Sequence, residues 1–147
     1  MSVPDVDKAY AAGFFDGEGG IQITPPRKAK GFSLHGSAAQ SERNVLDWFS
    51  MTWGGSVGLH GRAGVSVWRI HSAAAGRFLT DIEPYLCVKR QQAQLAIAFQ
   101  SGLRIGKRLT PEHIAECEAL REHLRALHGN IGRRAAVIPP HAAHLAG

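Results

Sequence analysis

The fourteen residues from Tyr10 to Ile23, YAAGFFDGEGGIQI, constrain the fold more than any other stretch of the chain. Small and apolar residues at helical spacing run up to Asp16, glycines 17, 19 and 20 interrupt them, and GIQIT then alternates apolar Ile21 and Ile23 with polar Gln22 and Thr24. A period of 3.6 gives way to a period of two, so a helix must become a strand within a few residues, and that strand must lay one face on a core. Asp16 and Glu18 sit at the helix end, where peptide dipoles leave partial negative charge and a carboxylate costs about 0.3–1 kcal/mol. A divalent cation would offset that cost. Free carbonyls and a carboxylate make the all-oxygen ligand set that Mg²⁺ takes, with phosphate oxygens and water in the remaining positions. The glycines also let a second backbone or a nucleic-acid strand come close. Gly13 and Gly17, beside Ala11 and Ala12, leave one helix stripe almost bare. Two such helices packed backbone to backbone would bring both Glu18 carboxylates near a twofold axis.

Asp5 or Asp7 is the expected cap of this first helix. Pro25 and Pro26 end the first strand, since neither donates to a ladder. FSLHGSAAQ alternates again, with Phe32, Leu34 and Ala38 inward and Ser33, His35 and Ser37 outward. SERNVLDWFSMTWGG reads as a helix capped by Ser41, with Val45, Leu46, Phe49 and Trp53 on one face and two glycines to finish. A second hairpin follows, with its turn between Gly61 and Gly64, Trp68 and Ile70 on one face and Val67 and Arg69 on the other. SAAAGRFLTDIEPYL is a helix broken before Pro84, and KRQQAQLAIAFQSG one that ends at Gly102. Thr110 and Pro111 open a last helix with Ile114, Cys117, Leu120, Leu124 and Leu127 on one face and Gly129 at its end. The order helix, hairpin, helix, hairpin, helices predicts an α+β domain with one antiparallel sheet covered on one face. A chain of 147 residues, 44% of them hydrophobic, suits one such core. The domain is expected over residues 1–128, with 129–147 as a tail.

Charge points to the partner. Lys and Arg number 17 against 12 Asp and Glu, and residues 20–37, 56–71 and 84–111 contain no acid at all. These runs hold Arg27, Lys28, Lys30, Arg62, Arg69, Lys89 and Arg90, so the positive field belongs to particular elements and favours a polyanion. Cys87 and Cys117 are too few for a disulfide framework and suit a reducing compartment. No run is long and apolar enough for a membrane span, and MSVPDVDK lacks a signal-peptide layout, so an intracellular location without membrane or organic cofactor is expected. GEGG follows a helix instead of opening one, which argues against a phosphate loop. His113 and Cys117 lack a complementary pair of ligands for zinc.

AAGFFDGEG, residues 11–19, resembles the LAGLIDADG motif of homing endonucleases, with Ala11 in place of the usual Leu and Glu18 in place of the commoner final Asp. The order of elements over most of the chain is also similar to that family's. The resemblance implies a saddle-shaped antiparallel sheet seated in the major groove of double-stranded DNA, and a homodimer, since the chain carries one motif, with Ala12, Gly13, Asp16 and Gly17 at the interface. It implies that Glu18 is the essential ligand of a divalent metal, most simply Mg²⁺, assisted by the Gly17 carbonyl. Gln40 resembles the polar residue that positions the attacking water, and Lys89 the lysine that stabilises charge on the phosphate. For Asp16, a packing or hydrogen-bonding role competes with direct metal ligation.

Strand alternation assigns Gln22, Thr24, Ser33, His35, Ser37, His60, Arg62, Val67 and Arg69 to the face turned to DNA, with Arg62 and Arg69 suited to guanine. Arg27, Lys28 and Lys30 are assigned to phosphate contact. The function so implied is site-specific, metal-dependent double-strand cleavage of a near-palindromic site. The rival is a DNA- or RNA-binding protein on the same scaffold that does not cut, such as a transcription regulator or an intron maturase.

Overall fold

The computed structural model describes residues 2–27, 31–61, 64–103 and 110–129. Lys28, Lys30, Arg62 and the expected tail from residue 130 onward lie outside them. Helix α1 (Asp5–Glu18) starts after Pro4, whose carbonyl accepts from Asp7 N and Lys8 N at 3.0 Å each. Neither expected aspartate caps it: Asp5 and Asp7 sit within the first turn, where the dipole alone favours them. The helix runs two residues past Asp16 and hands over directly to strand β1 (Gly19–Thr24). Strand β2 (Ser33–Gln40), helix α2 (Arg43–Trp53), strands β3 (Ser56–Leu59) and β4 (Ser66–His71), and helices α3 (Ser72–Ile82), α4 (Arg90–Gly102) and α5 (Pro111–Gly129) follow. Ser41 does not cap α2. Its own N–H donates to Gln40 Oε1 at 2.8 Å, and the N-cap position falls to Glu42. Thr110 does cap α5, its Oγ1 accepting from His113 N at 3.1 Å.

The four strands form one antiparallel sheet in the order β1-β2-β4-β3, so the two hairpins join through β2 and β4. Ile21, Ile23, Leu34, Ala38, Trp68 and Ile70 point into the core beneath the helices, and the alternate residues form the opposite face. Period-two patterning in β1, β2 and β4 therefore did its work: one side is apolar and covered. The core centres on rings in edge-to-face contact. Phe78 lies 5.2 Å from Phe15, 5.0 Å from Trp68 and 5.1 Å from Trp53, measured between ring centroids. The buried indole of Trp68 donates to Gly54 O and that of Trp53 to Asp81, each at 2.9 Å, so the polar ends of both rings are satisfied.

Two glycines answer to geometry. At Gly55 φ is +89°, in the left-handed region that side chains avoid. At Gly19 a methyl group would lie 2.5 Å from Cε2 of Phe15, whose ring is fully buried and has nowhere to go. The turn from α1 into β1 is thus as tight as it is because the first strand residue has no side chain. Gly19→Ala is expected to destabilise the fold by about 1–3 kcal/mol, the usual cost of overpacking a filled core, seen as a lower urea midpoint with an unchanged slope.

Candidate functional site

The two carboxylates at the end of α1 have separate fates. Asp16 turns inward. One of its oxygens accepts from Cys87 N at 2.8 Å, and the other from Val88 N at 3.2 Å and Lys89 N at 2.9 Å. These N–H groups lead into α4, so a side chain some seventy residues earlier supplies the acceptors that the start of that helix lacks. Lys89 closes the loop, its Nζ donating to the Asp16 carbonyl at 2.5 Å. The repulsion expected for Asp16 at the C-terminus of α1 is offset by three donors and an ammonium from the same chain. Asp16 is therefore held within its own protomer.

Glu18 is the last residue of α1 and is exposed. Its carboxylate and that of Asp16 hold the Lys89 ammonium pKa up against burial, which is the larger effect and pushes it down. Lys89 is only 8% exposed, so the arrangement places a desolvated ammonium beside a carboxylate that remains open. Burial, and then the charge of Asp16, raise the pKa of the neighbouring Cys87 thiol. Gln40 stands at the end of β2 that lies alongside the end of α1, since Gly19 pairs with Ala38. Among the described residues no three His, Cys, Asp or Glu side chains gather as a metal cage. Glu18 with the Gly17 carbonyl in the last turn makes a hard oxygen donor set that fits Mg²⁺ or Ca²⁺, with most positions left to ligands from outside the protomer.

Of the residues expected at the dimer interface, Gly13 and Gly17 are exposed, with open space within 4 Å of where a Cβ would sit. Ala12 is not available. It is fully buried in its own core, because it shares a helix face with Phe15 rather than with the glycines.

The open sheet face carries Gln22, Thr24, Ser33, His35, Ser37 and Arg69, as alternation predicts. No Asp or Glu occurs in any of the four strands, and among the described residues Arg69 pairs with no carboxylate. Arg27 is exposed beyond the two prolines, and His60 is exposed in the β3–β4 turn. Val67 differs: its register puts it on this face opposite Ala39 and Gly58, yet it is only 5% exposed and offers no surface group. Two histidines escaped sequence reasoning. His71, opposite His35, is the next outward position after Arg69, and extending the alternation by one more step would have found it. His128, at the end of α5, lines a groove of about 330 Å³ with Gln22, Thr24, Pro25, Arg121 and Arg125. Burial and then the charge of Lys89 lower its pKa. Only the fold brings it there. Among the described residues, no helix is long and apolar enough to cross a membrane.

Solved structures share this fold. Homing endonuclease I-CvuI, solved with its target in the presence of calcium, superposes with a TM-score of 0.74 at 22% identity, over 84% of this chain and 82% of that one. The archaeal intron-encoded homing endonuclease I-Vdi141I, solved with DNA, gives 0.72 at 19% identity over 84% of each chain. The chain has the LAGLIDADG homing-endonuclease fold. The LAGLIDADG meganuclease I-AabMI, bound to uncleaved DNA, gives 0.61 at 18% identity over 89% of this chain but only 51% of that one. No protein-family model and no curated protein sequence matches the chain. Within this LAGLIDADG fold the Asp16 clamp joins α1 to α4, and Asp16→Ala is expected to lower stability by about 1–2 kcal/mol in urea titration, as loss of a helix cap does.

Proposed function

We propose that the protein is a site-specific, divalent-metal-dependent double-strand DNA endonuclease acting as a homodimer. The observation that carries this reading is the division of labour at the end of α1: Asp16 is held by α4, while Glu18 is left open beside a buried ammonium and an acid-free sheet. Structural duty explains the first acid and leaves the second without any.

In this reading Glu18 and the Gly17 carbonyl hold the metal, most simply Mg²⁺. The ion would supply Lewis-acid stabilisation of the attacking and leaving oxygens of the phosphodiester. Lys89 places a preorganised, poorly solvated positive charge where the phosphate gains negative charge, and Asp16 fixes it by anchoring both its backbone and its ammonium. Gln40 orients water from the adjoining strand end. Gln22, Thr24, Ser33, His35, Ser37 and Arg69 face base edges, while Arg27, His60 and the basic residues outside the described regions, Lys28, Lys30 and Arg62, meet the backbone or neighbouring bases.

Support for two copies comes from α1 and from the lengths matched. Val6, Tyr10, Gly13 and Gly17 recur at four, three and four residues along the helix; Val6 is 75% and Tyr10 59% exposed. An apolar stripe ending in two glycines suits a close helix pair on a twofold axis, with Glu18 at its end. The chain matches most of I-CvuI but about half of I-AabMI, as one of two equivalent units would.

Glu18→Gln is expected to keep duplex binding and to reduce cleavage of sites selected from a randomised DNA library in magnesium by about 10²-fold or more; unchanged cutting refutes the mechanism. Gly13→Ala should not lower the stability of the isolated protomer, since alanine is the better helix former by about 1 kcal/mol and the space is open. It should weaken the dimer about tenfold in sedimentation equilibrium. A dimer of undiminished affinity would move the seam off α1.

A further inference from the structure

Three side chains on the open face form a hydrogen-bonded chain across three adjacent strands. Thr24 Oγ1 lies 3.3 Å from Ser33 O and 3.1 Å from His35 Nε2, and His35 Nδ1 lies 2.7 Å from His71 Nδ1. The two rings stand nearly perpendicular, at 85°. Counting hydrogens gives the chain a direction. A carbonyl only accepts, so the single hydroxyl hydrogen of Thr24 goes to Ser33 O, and Thr24 Oγ1 is left to accept from His35 Nε2–H. Neutral imidazole carries one hydrogen, so His35 Nδ1 is bare and accepts from His71 Nδ1–H. His71 is then left with a bare Nε2 on an exposed side chain. A Nδ1–Nδ1 contact of 2.7 Å has room for one hydrogen only, so the pair stays ordered in this sense while both rings are neutral.

The cationic groups of this interface are all donors: Arg69 can address only acceptors, such as guanine O6 and N7 or phosphate. A histidine nitrogen held as an acceptor adds what these cations lack, a partner for amino hydrogens. We propose that His71 is a specificity-determining residue of the DNA interface, held by Thr24 and His35 as an Nε2 acceptor, and that it selects a base presenting an amino hydrogen in the major groove, adenine N6 or cytosine N4. This rests on the DNA-binding reading above. Arg69 and His71 are two residues apart on one strand face, about 6.8 Å, or some two base-pair steps, so one strand presents a donor and an acceptor to neighbouring bases. Thr24 and His35 are positioning residues that act through His71.

Two measurements test the proposal. In long-range ¹H–¹⁵N spectra of the free protein near pH 8, His35 is expected as the Nε2–H tautomer and His71 as the Nδ1–H tautomer; Thr24→Val should scramble the pair and Thr24→Ser restore it. The opposite tautomers in the wild-type protein overturn the proposal, and no variant is needed to see them. In selection of bound duplexes from a randomised library at the same pH, the wild-type pool should favour adenine or cytosine about 3- to 10-fold at one position and at its twofold mate. His71→Ala should lose that preference while the guanine preference assigned to Arg69 persists. Duplex enrichment with the same preference in His71→Ala overturns the role of His71 alone. Failure of the wild-type protein to enrich any duplex overturns the DNA reading and this role with it.

Discussion

The Asp16 carboxylate is the point on which the geometry of the site depends. It joins the last turn of α1 to the segment leading into α4 by three backbone hydrogen bonds, and the Asp16 carbonyl takes the Lys89 ammonium as a fourth. Two helix ends that would otherwise expose unpaired groups to a crowded interior satisfy each other: α1 brings excess negative charge, α4 brings excess N–H. Because both belong to one rigid contact, the position of Lys89 relative to Glu18 is set by backbone and not by the rotamers of two long side chains. In the proposed reading, an ammonium held this way at 8% exposure would lose little entropy on meeting a phosphate, and would meet it through less intervening water.

The sheet contributes the second constraint. Core-facing Ile21, Leu34, Trp68 and Ile70 are fully buried, so the register cannot slip by one residue without moving these side chains into solvent and Gln22, His35 and Arg69 into the core. The apolar face thereby orients the polar face it never touches. Val67, which register places outward beside Ala39 and Gly58, is the exception, a buried side chain among polar ones.

Period and punctuation made the element order, the covered face and the helix-to-strand handover legible in the sequence, because each depends on residues close together in the chain. The expected caps at Asp5, Asp7 and Ser41 fell a residue or more away from where the helices begin, since α1 opens after Pro4 and α2 after Glu42, and a cap works only at that one position. The tertiary role of Asp16 was beyond sequence reading, since its partners lie more than seventy residues away and are backbone groups with no side-chain signature. Ala12 was placed at the wrong surface because small size marks both a helix seam and a tight core, and only the neighbouring Phe15 decides between them. His128 is brought to the edge of β1 by the packing of α5 on that strand, which no local pattern records.

Charge counting at Glu18 ties these strands together. One exposed carboxylate and a carbonyl would supply two of the six oxygen positions that Mg²⁺ prefers, and among the described residues no cluster of three or more His, Cys, Asp or Glu offers a fuller set. In the proposed reading, phosphate oxygens and a second Glu18 across a twofold would supply the remaining ligands. Such a site would hold metal weakly without DNA, and its two like-charged carboxylates would need cations and a phosphate between them. Lys89 gives one ammonium hydrogen to the Asp16 carbonyl and keeps two for the phosphate contact proposed above. Its positive charge also lowers the cost of keeping two carboxylates at the end of one helix.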